Sequence, residues 1–156
     1  MSTKIIPAAV WVWIVVALAL SPLCATLAQA AGSKMKVEAQ LIWATNDAKS
    51  PNPKHKPVDA DTLKKLQGLP LKWSNYFQVN KIMVELPQGE LKKASLSEKC
   101  ELEMKNLDST KVEVTHFGKG KKVGTRIQAL PKGEMLVLGG NAPNSTAWFV
   151  VLKRLE

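Results

Sequence analysis

Few residues in this chain are of a type and spacing that could do chemistry. Cys100 is the one cysteine after the first thirty residues, and His55 and His116 are the only histidines. A nucleophilic thiol would need an imidazole beside it to take its proton. "CELEM" (100–104) and "KVEVTH" (111–116) both alternate apolar and polar residues and are joined by the turn "NLDS", so a hairpin could bring the pair together. The register that sets Cys100 directly opposite His116 also sets Glu103 against Glu113 and Lys105 against Lys111, which is unfavourable twice. Sliding by two residues keeps every side chain on its face and gives Lys105–Glu113 or Glu103–Lys111 instead. His116 then faces Leu102 or lies beyond the paired region. On this reading Cys100 is a small buried hydrophobe on a strand.

The second candidate is "HFGKGKKVGTR" (116–126), which concentrates lysine, arginine and glycine as an anion-binding loop would. It lacks the spacing of a phosphate-binding loop and the Ser or Thr that must follow its lysine. A hairpin with Lys119-Gly120 as its two-residue loop explains it more fully. Gly118 then pairs with Lys121, Phe117 with Lys122 and His116 with Val123. Continuing the register sets Glu113 against Arg126 and Val112 against Ile127, with the apolar residues on one face. Lys119 and Lys121 remain free at the tip as candidate anion contacts.

Other constellations are thinner. Asp59 and Asp61 in "VDADTLKKLQGLP" could be metal ligands, but an N-cap and a first-turn acid account for both. No Cys-x-x-Cys or His-x-x-x-His spacing marks a metal site, and no cofactor motif is present. Trp73 and Tyr76, with Phe77, lie in "LKWSNYFQV" and are candidate aromatic contacts for sugars or bases. Such a cluster also serves to dock a loop onto a core. "TNDAKSPNPKHKPV" (45–58) is a long Pro/Lys-rich loop that adds Lys54 and Lys56 to the candidate anion contacts. "NAPNST" (141–146) reads as a polar turn between apolar strands.

These residues must be positioned by strands. "KVEAQLIWA" sets Val37, Ala39, Leu41 and Trp43 on one face and Glu38 and Gln40 on the other. "YFQVNKIMVEL", "CELEM", "KVEVTHF", "KVGTRIQAL", "EMLVL" and "AWFVVL" read as further strands, and "LKKASLS" as a weaker one. The last two are nearly all apolar, as central strands buried on both faces would be. One short helix is expected near residues 59–67, starting at an Asp N-cap and ending at Gly68 with Pro70 beyond. "LPQGEL" and "LPKGEM" share Leu-Pro-x-Gly-Glu, a reused turn that launches a strand, for which a type I turn is expected. The expected fold is all-β, mainly antiparallel: a small sandwich or rolled sheet of about seven or eight strands.

The first thirty residues carry an address. "MSTKIIP" leads into "AAVWVWIVVALAL" and then "SPLCATLAQA", which is a charged start, an apolar stretch and an Ala-x-Ala exit. Residues 1–30 read as a signal peptide cut between Ala30 and Ala31, and 31–156 as one β-rich domain. An uncleaved anchor over residues 8–30 is the alternative. The formal charge of the whole chain is +9. Loss of residues 1–30 removes one basic residue, Lys4, and no acid, leaving +8.

The expectation is therefore a secreted or periplasmic, basic, non-enzymatic module. It would contact anionic material such as cell-envelope polymer, a membrane surface or an acidic partner protein. Two other readings are a protein-interaction subunit whose charge serves solubility, and a thiol or hydrolytic enzyme assembled from dispersed residues. No motif signals specific nucleic-acid recognition, and no second apolar span follows the first.

Overall fold

The computed structural model of the protein describes residues 33–156. The expected signal peptide and its cleavage point lie outside them. The described residues form nine strands and one helix: β1 (Met35–Thr45), β2 (Lys56–Pro57), α1 (Ala60–Gln67), β3 (Asn75–Leu86), β4 (Leu91–Ser97), β5 (Cys100–Asn106), β6 (Lys111–Gly118), β7 (Lys121–Ala129), β8 (Met135–Asn141) and β9 (Ala147–Arg154). The strands make two sheets, β2-β3-β1-β9-β8 and β4-β5-β6-β7, and every paired strand is antiparallel. Sheet-on-sheet packing of this kind is a sandwich. Among the described residues no helix is long and apolar enough to cross a membrane.

The alternation in β1 explains the two-layer burial. Val37, Ala39 and Leu41 face the second sheet and join Leu96, Leu102, Met104, Val112, Val114, Val150 and Leu152 in the inter-sheet core. Ile42 and Ala44 face the other way, into a second cluster with Leu66, Trp73, Tyr76 and Phe149. Helix α1 covers that outer cluster. Asp59 caps it by accepting the Thr62 N–H at 2.9 Å, and Leu66 is fully buried beneath it.

That cover also buries the polar face of β1: Glu38 is 8% exposed and Gln40 0%. Gln40 Nε2 donates to Glu38 Oε1 at 2.6 Å and to Asp59 Oδ2 at 3.0 Å. Lys81 Nζ lies 3.4 Å from the second Glu38 oxygen. The polar half of β1 is thus the seat of the helix cap, a tertiary contact that strand periodicity cannot show. β9 is central, as its apolar run implies, but β8 is an edge strand. Its apolar residues are still required on both faces, because Leu136 and Leu138 reach the inter-sheet core while Met135 and Val137 pack in the outer cluster.

Of the two hairpin registers, β5–β6 takes the one favoured by charge. Lys105 is opposite Glu113 and Leu102 opposite His116. The β6–β7 hairpin starts as expected, with Gly118 against Lys121 and Phe117 against Lys122. Lys119 and Gly120 both have positive φ, 51° and 74°, which the two-residue loop requires. Val123 is then an extra residue, so His116 meets Gly124 and Val114 meets Arg126. The bulge overturns the expected Glu113–Arg126 pairing: Glu113 is opposite Ile127. A slip of one residue turns every later side chain to the other face, and Ile127 ends 57% exposed.

The repeated Leu-Pro-x-Gly-Glu segments form matching turns of a different type from the one expected. Glu90 N–H donates to Pro87 O and Glu134 N–H to Pro131 O, with Gly89 and Gly133 at the third position of each turn at φ 80° and 82°. A positive φ there demands glycine and is the mark of a type II rather than a type I turn.

Candidate functional site

Chain direction gives the sandwich two unlike ends. Asn80 Nδ2 donates to Leu96 O at 2.9 Å, which sets the end of β4 against the middle of β3. Beyond that point the first sheet continues, while the second turns back through residues 98–99 and 119–120. On the inner face there, Phe77, Trp43 and Trp148 are direct cross-strand partners on β3, β1 and β9, so the three rings form a row. Gly140 of β8 continues the row opposite Trp148. Trp43 and Phe77 lie 6.1 Å apart at 33°, and Trp148 is 43% exposed. We call this the open end.

A cavity of about 660 Å³ is floored there by Trp43. Its walls are residues 47–51 of the Pro/Lys loop on one side and Asn144 and Thr146 of the β8–β9 turn on the other. Both walls are tied down. Asn46 Oδ1 accepts from Ser74 N–H at 3.0 Å, and Ser50 Oγ meets His55 Nδ1 at 2.8 Å. The His55 ring stands edge-on to Trp43 at 6.1 Å, and burial lowers its pKa. The Pro/Lys loop is thereby a fixed wall rather than a free linker.

The aromatic candidates Trp73 and Tyr76 lie behind this site, under α1. They are 9% and 5% exposed. Trp73 Nε1 donates to Ser145 O at 2.7 Å, and Tyr76 Oη donates to Trp73 O at 2.9 Å. Their rings meet Phe149 at 5.6 and 6.5 Å. Trp73 therefore holds the 142–146 turn that walls the cavity. The accessible ring is Trp148, 43% exposed, beside Trp43, which is 8% exposed and lines the cavity; sequence reasoning passed over both because each sits inside an apolar strand. The signal available was Gly140: a glycine opposite a tryptophan at a strand end leaves the ring uncovered.

The four lysine candidates are all exposed, and all lie toward the open end. Lys119 is at the hairpin tip, its N–H donating to Lys99 O at 2.8 Å, and Lys121 follows it. Lys54 N–H is held by Asn52 Oδ1 at 3.0 Å, and Lys56 begins β2 opposite Gln78. Lys49 joins them from the cavity wall. Among the described residues none of these five, nor Lys99, has a carboxylate within 4.0 Å. At the opposite end Lys34, Lys36, Lys92 and Lys111 are matched with Glu85, Glu156, Glu90 and Asp108. Most lysines at that end are paired, Lys105 and Lys132 excepted, whereas those at the open end are not.

The thiol and imidazole are closer than cross-strand pairing alone implies. Cys100 is opposite Gly118, which has no side chain, and its Sγ lies diagonally 3.6 Å from His116 Nε2. Burial, with the Glu101 carboxylate second, pushes the thiol up to about 11, and burial lowers His116. Both groups are held neutral, so their contact is a weak neutral hydrogen bond and not a thiolate–imidazolium pair.

Asp59 and Asp61 are used as a cap and an ion pair, the latter with Lys153 Nζ at 2.8 Å. Among the described residues no three His, Cys, Asp or Glu side chains converge as metal ligands. A second cavity, about 530 Å³ between α1 and β8, is lined by Asp61, Lys65 and Glu134, whose charges are already paired with Lys153 and with each other. Comparison with protein-family models, curated proteins and solved structures returns no match, so function must be argued from these residues.

Proposed function

We propose that this chain is an exported, non-enzymatic binding module that contacts anionic envelope or extracellular material through the open end of its sandwich. The observation that carries the proposal is a cluster of charge: Lys49, Lys54, Lys56, Lys99, Lys119 and Lys121 gather toward the open end and none has a carboxylate within 4.0 Å, whereas Lys34, Lys36, Lys92 and Lys111 at the opposite end are paired. Cations with no internal partner around a concave surface attract polyanions, at a strength that salt reduces. The leader-like residues 1–30 support an exported location.

The test is retention of the full chain on immobilised polygalacturonate along a salt gradient. Retention is expected to fall steeply by several hundred millimolar salt, and the quadruple variant K49E/K54E/K119E/K121E should pass unretained. Binding that ignores both salt and charge reversal sinks the proposal.

One observation favours a second reading, a protein-interaction subunit. All nine residues of β7 are exposed on a sheet edge, including Val123 at 66% and Ile127 at 57%. Its Val123 bulge and its cations Lys121, Lys122 and Arg126 are, however, the devices that keep an edge from pairing. Cross-linking in intact cells separates the readings: a protein adduct mapping to β7 and persisting in high salt favours the second.

A further inference from the structure

We infer that the open end is a subsite for a sugar ring, and that the anionic partner is a carboxylate-bearing glycan. This rests on the anion-contact reading above and names the ligand class. The inference comes from the exposed Trp148 ring, its cross-strand neighbour Trp43, and the polar walls of the cavity that Trp43 lines. A pyranose presents an apolar C–H face ringed by hydroxyls, and it is bound by an aromatic face ringed by hydrogen-bonding groups.

Phe77, Trp43 and Trp148 supply a row about 10 Å long across three strands. Asp47, Asn144 and Thr146 stand around the Trp43 cavity as acceptors and donors, with Lys49 as a cation. At 660 Å³ the cavity is in the range of small-ligand sites. A Cβ added at Gly140 would meet nothing within 4 Å, so the ledge beside Trp148 is open along β8.

Asp47 supplies an acceptor for sugar hydroxyls and Lys49 a cation for the glycan's carboxylate. The repulsion between Asp47 and an anion acts on uronate and phosphate alike, so titration with an oligothymidylate separates the two. A lipid surface would want a continuous apolar patch, and here the apolar row is bounded by polar loops.

The experiment is calorimetric titration of the full chain with three probes: tetragalacturonate, the same tetramer methyl-esterified, and an oligothymidylate of equal charge. Trp148→Ala and Gly140→Val are titrated beside the parent. Gly140→Val projects a side chain over the ledge without a clash inside the protein, so it blocks the site even if Trp148→Ala folds poorly. Tetragalacturonate should bind the parent, and each variant should bind it about tenfold or more weakly. Oligothymidylate should bind more weakly than the uronate.

Oligothymidylate binding as tight as the uronate, or uronate binding that both variants retain, overturns the sugar subsite and leaves the charge-contact reading standing. Ester binding equal to that of the acid, unmoved by salt and lost in both variants, overturns the charge reading and leaves the ring subsite. No binding of either oligosaccharide overturns the inference.

Discussion

The thiol of Cys100 lies 3.6 Å from the Nε2 of His116, two residues off its cross-strand partner. The contact exists because Gly118 leaves the thiol nothing to face, and both groups stay neutral because both are buried. Native Cys100 should therefore resist iodoacetamide at pH 7.5 and react after denaturation in urea. Peptide mapping of the labelled chain checks this; rapid native labelling at Cys100 would mean that the thiol is activated.

Gln40 joins the central strand to the helix cap, donating to both Glu38 and Asp59. Gln40→Ala removes the donor to the buried Glu38 Oε1 and one of the two donors to Asp59 Oδ2, and should cost about 2 kcal/mol. Urea denaturation measures it. A loss below about 0.5 kcal/mol would show that the amide is not a structural link.

Asp59 gives the fold an acid limit. Burial alone would raise its pKa, but hydrogen bonds from Thr62 and Gln40, with Lys153 nearby, outweigh it and hold the group at about 2, below the ordinary 3.8. A carboxylate lowered in the folded state adds stability that is complete above the unfolded value and lost as pH falls through the folded one. Thermal midpoints should drop between pH 4 and pH 2, and Asp59→Asn should flatten that drop while lowering stability at pH 7. An unchanged profile in the variant would reassign the acid sensitivity to other carboxylates.

Gly139 and Gly140 are neighbours with opposite tolerances. The Phe149 ring occupies the space a Cβ at Gly139 would take, whereas Gly140 faces open space. Gly139→Ala should destabilise by about 1–3 kcal/mol, and Gly140→Ala should change stability little. Thermal unfolding of the pair decides; equal effects would mean that the Phe149 ring moves freely aside.

Trp73→Phe keeps the buried ring and removes the one N–H that holds Ser145. Hydrogen exchange in residues 142–146 should quicken while that of β1 and β9 stays unchanged. Unaltered exchange in the turn would show that its own bonds suffice.

What could be read in the sequence was what local chemistry decides. The N-cap at Asp59, the Lys119-Gly120 loop and the Lys105–Glu113 register each follow from residues within one turn or one hairpin. The Val123 bulge could not be read this way. An exposed edge strand neither gains nor loses core contacts when it slips, so Glu113 and Arg126 had no means of enforcing their pairing. The burial of Glu38 and Gln40 could not be read either, because their cover, α1, comes from elsewhere in the chain. The open end was hidden for a third reason. Trp43 and Trp148 are ordinary apolar strand residues until the second sheet stops short of them.

The order β2-β3-β1-β9-β8 places the first long strand directly beside the last, with Val37 against Arg154. During synthesis, β1 therefore waits for the second of its two neighbours, and the first sheet cannot close until the eight-residue strand β9 has emerged. Such distant pairing makes folding slow relative to local hairpin formation. The consecutive hairpins of the second sheet can pair as they emerge, which leaves the first sheet as the last part of the fold to close.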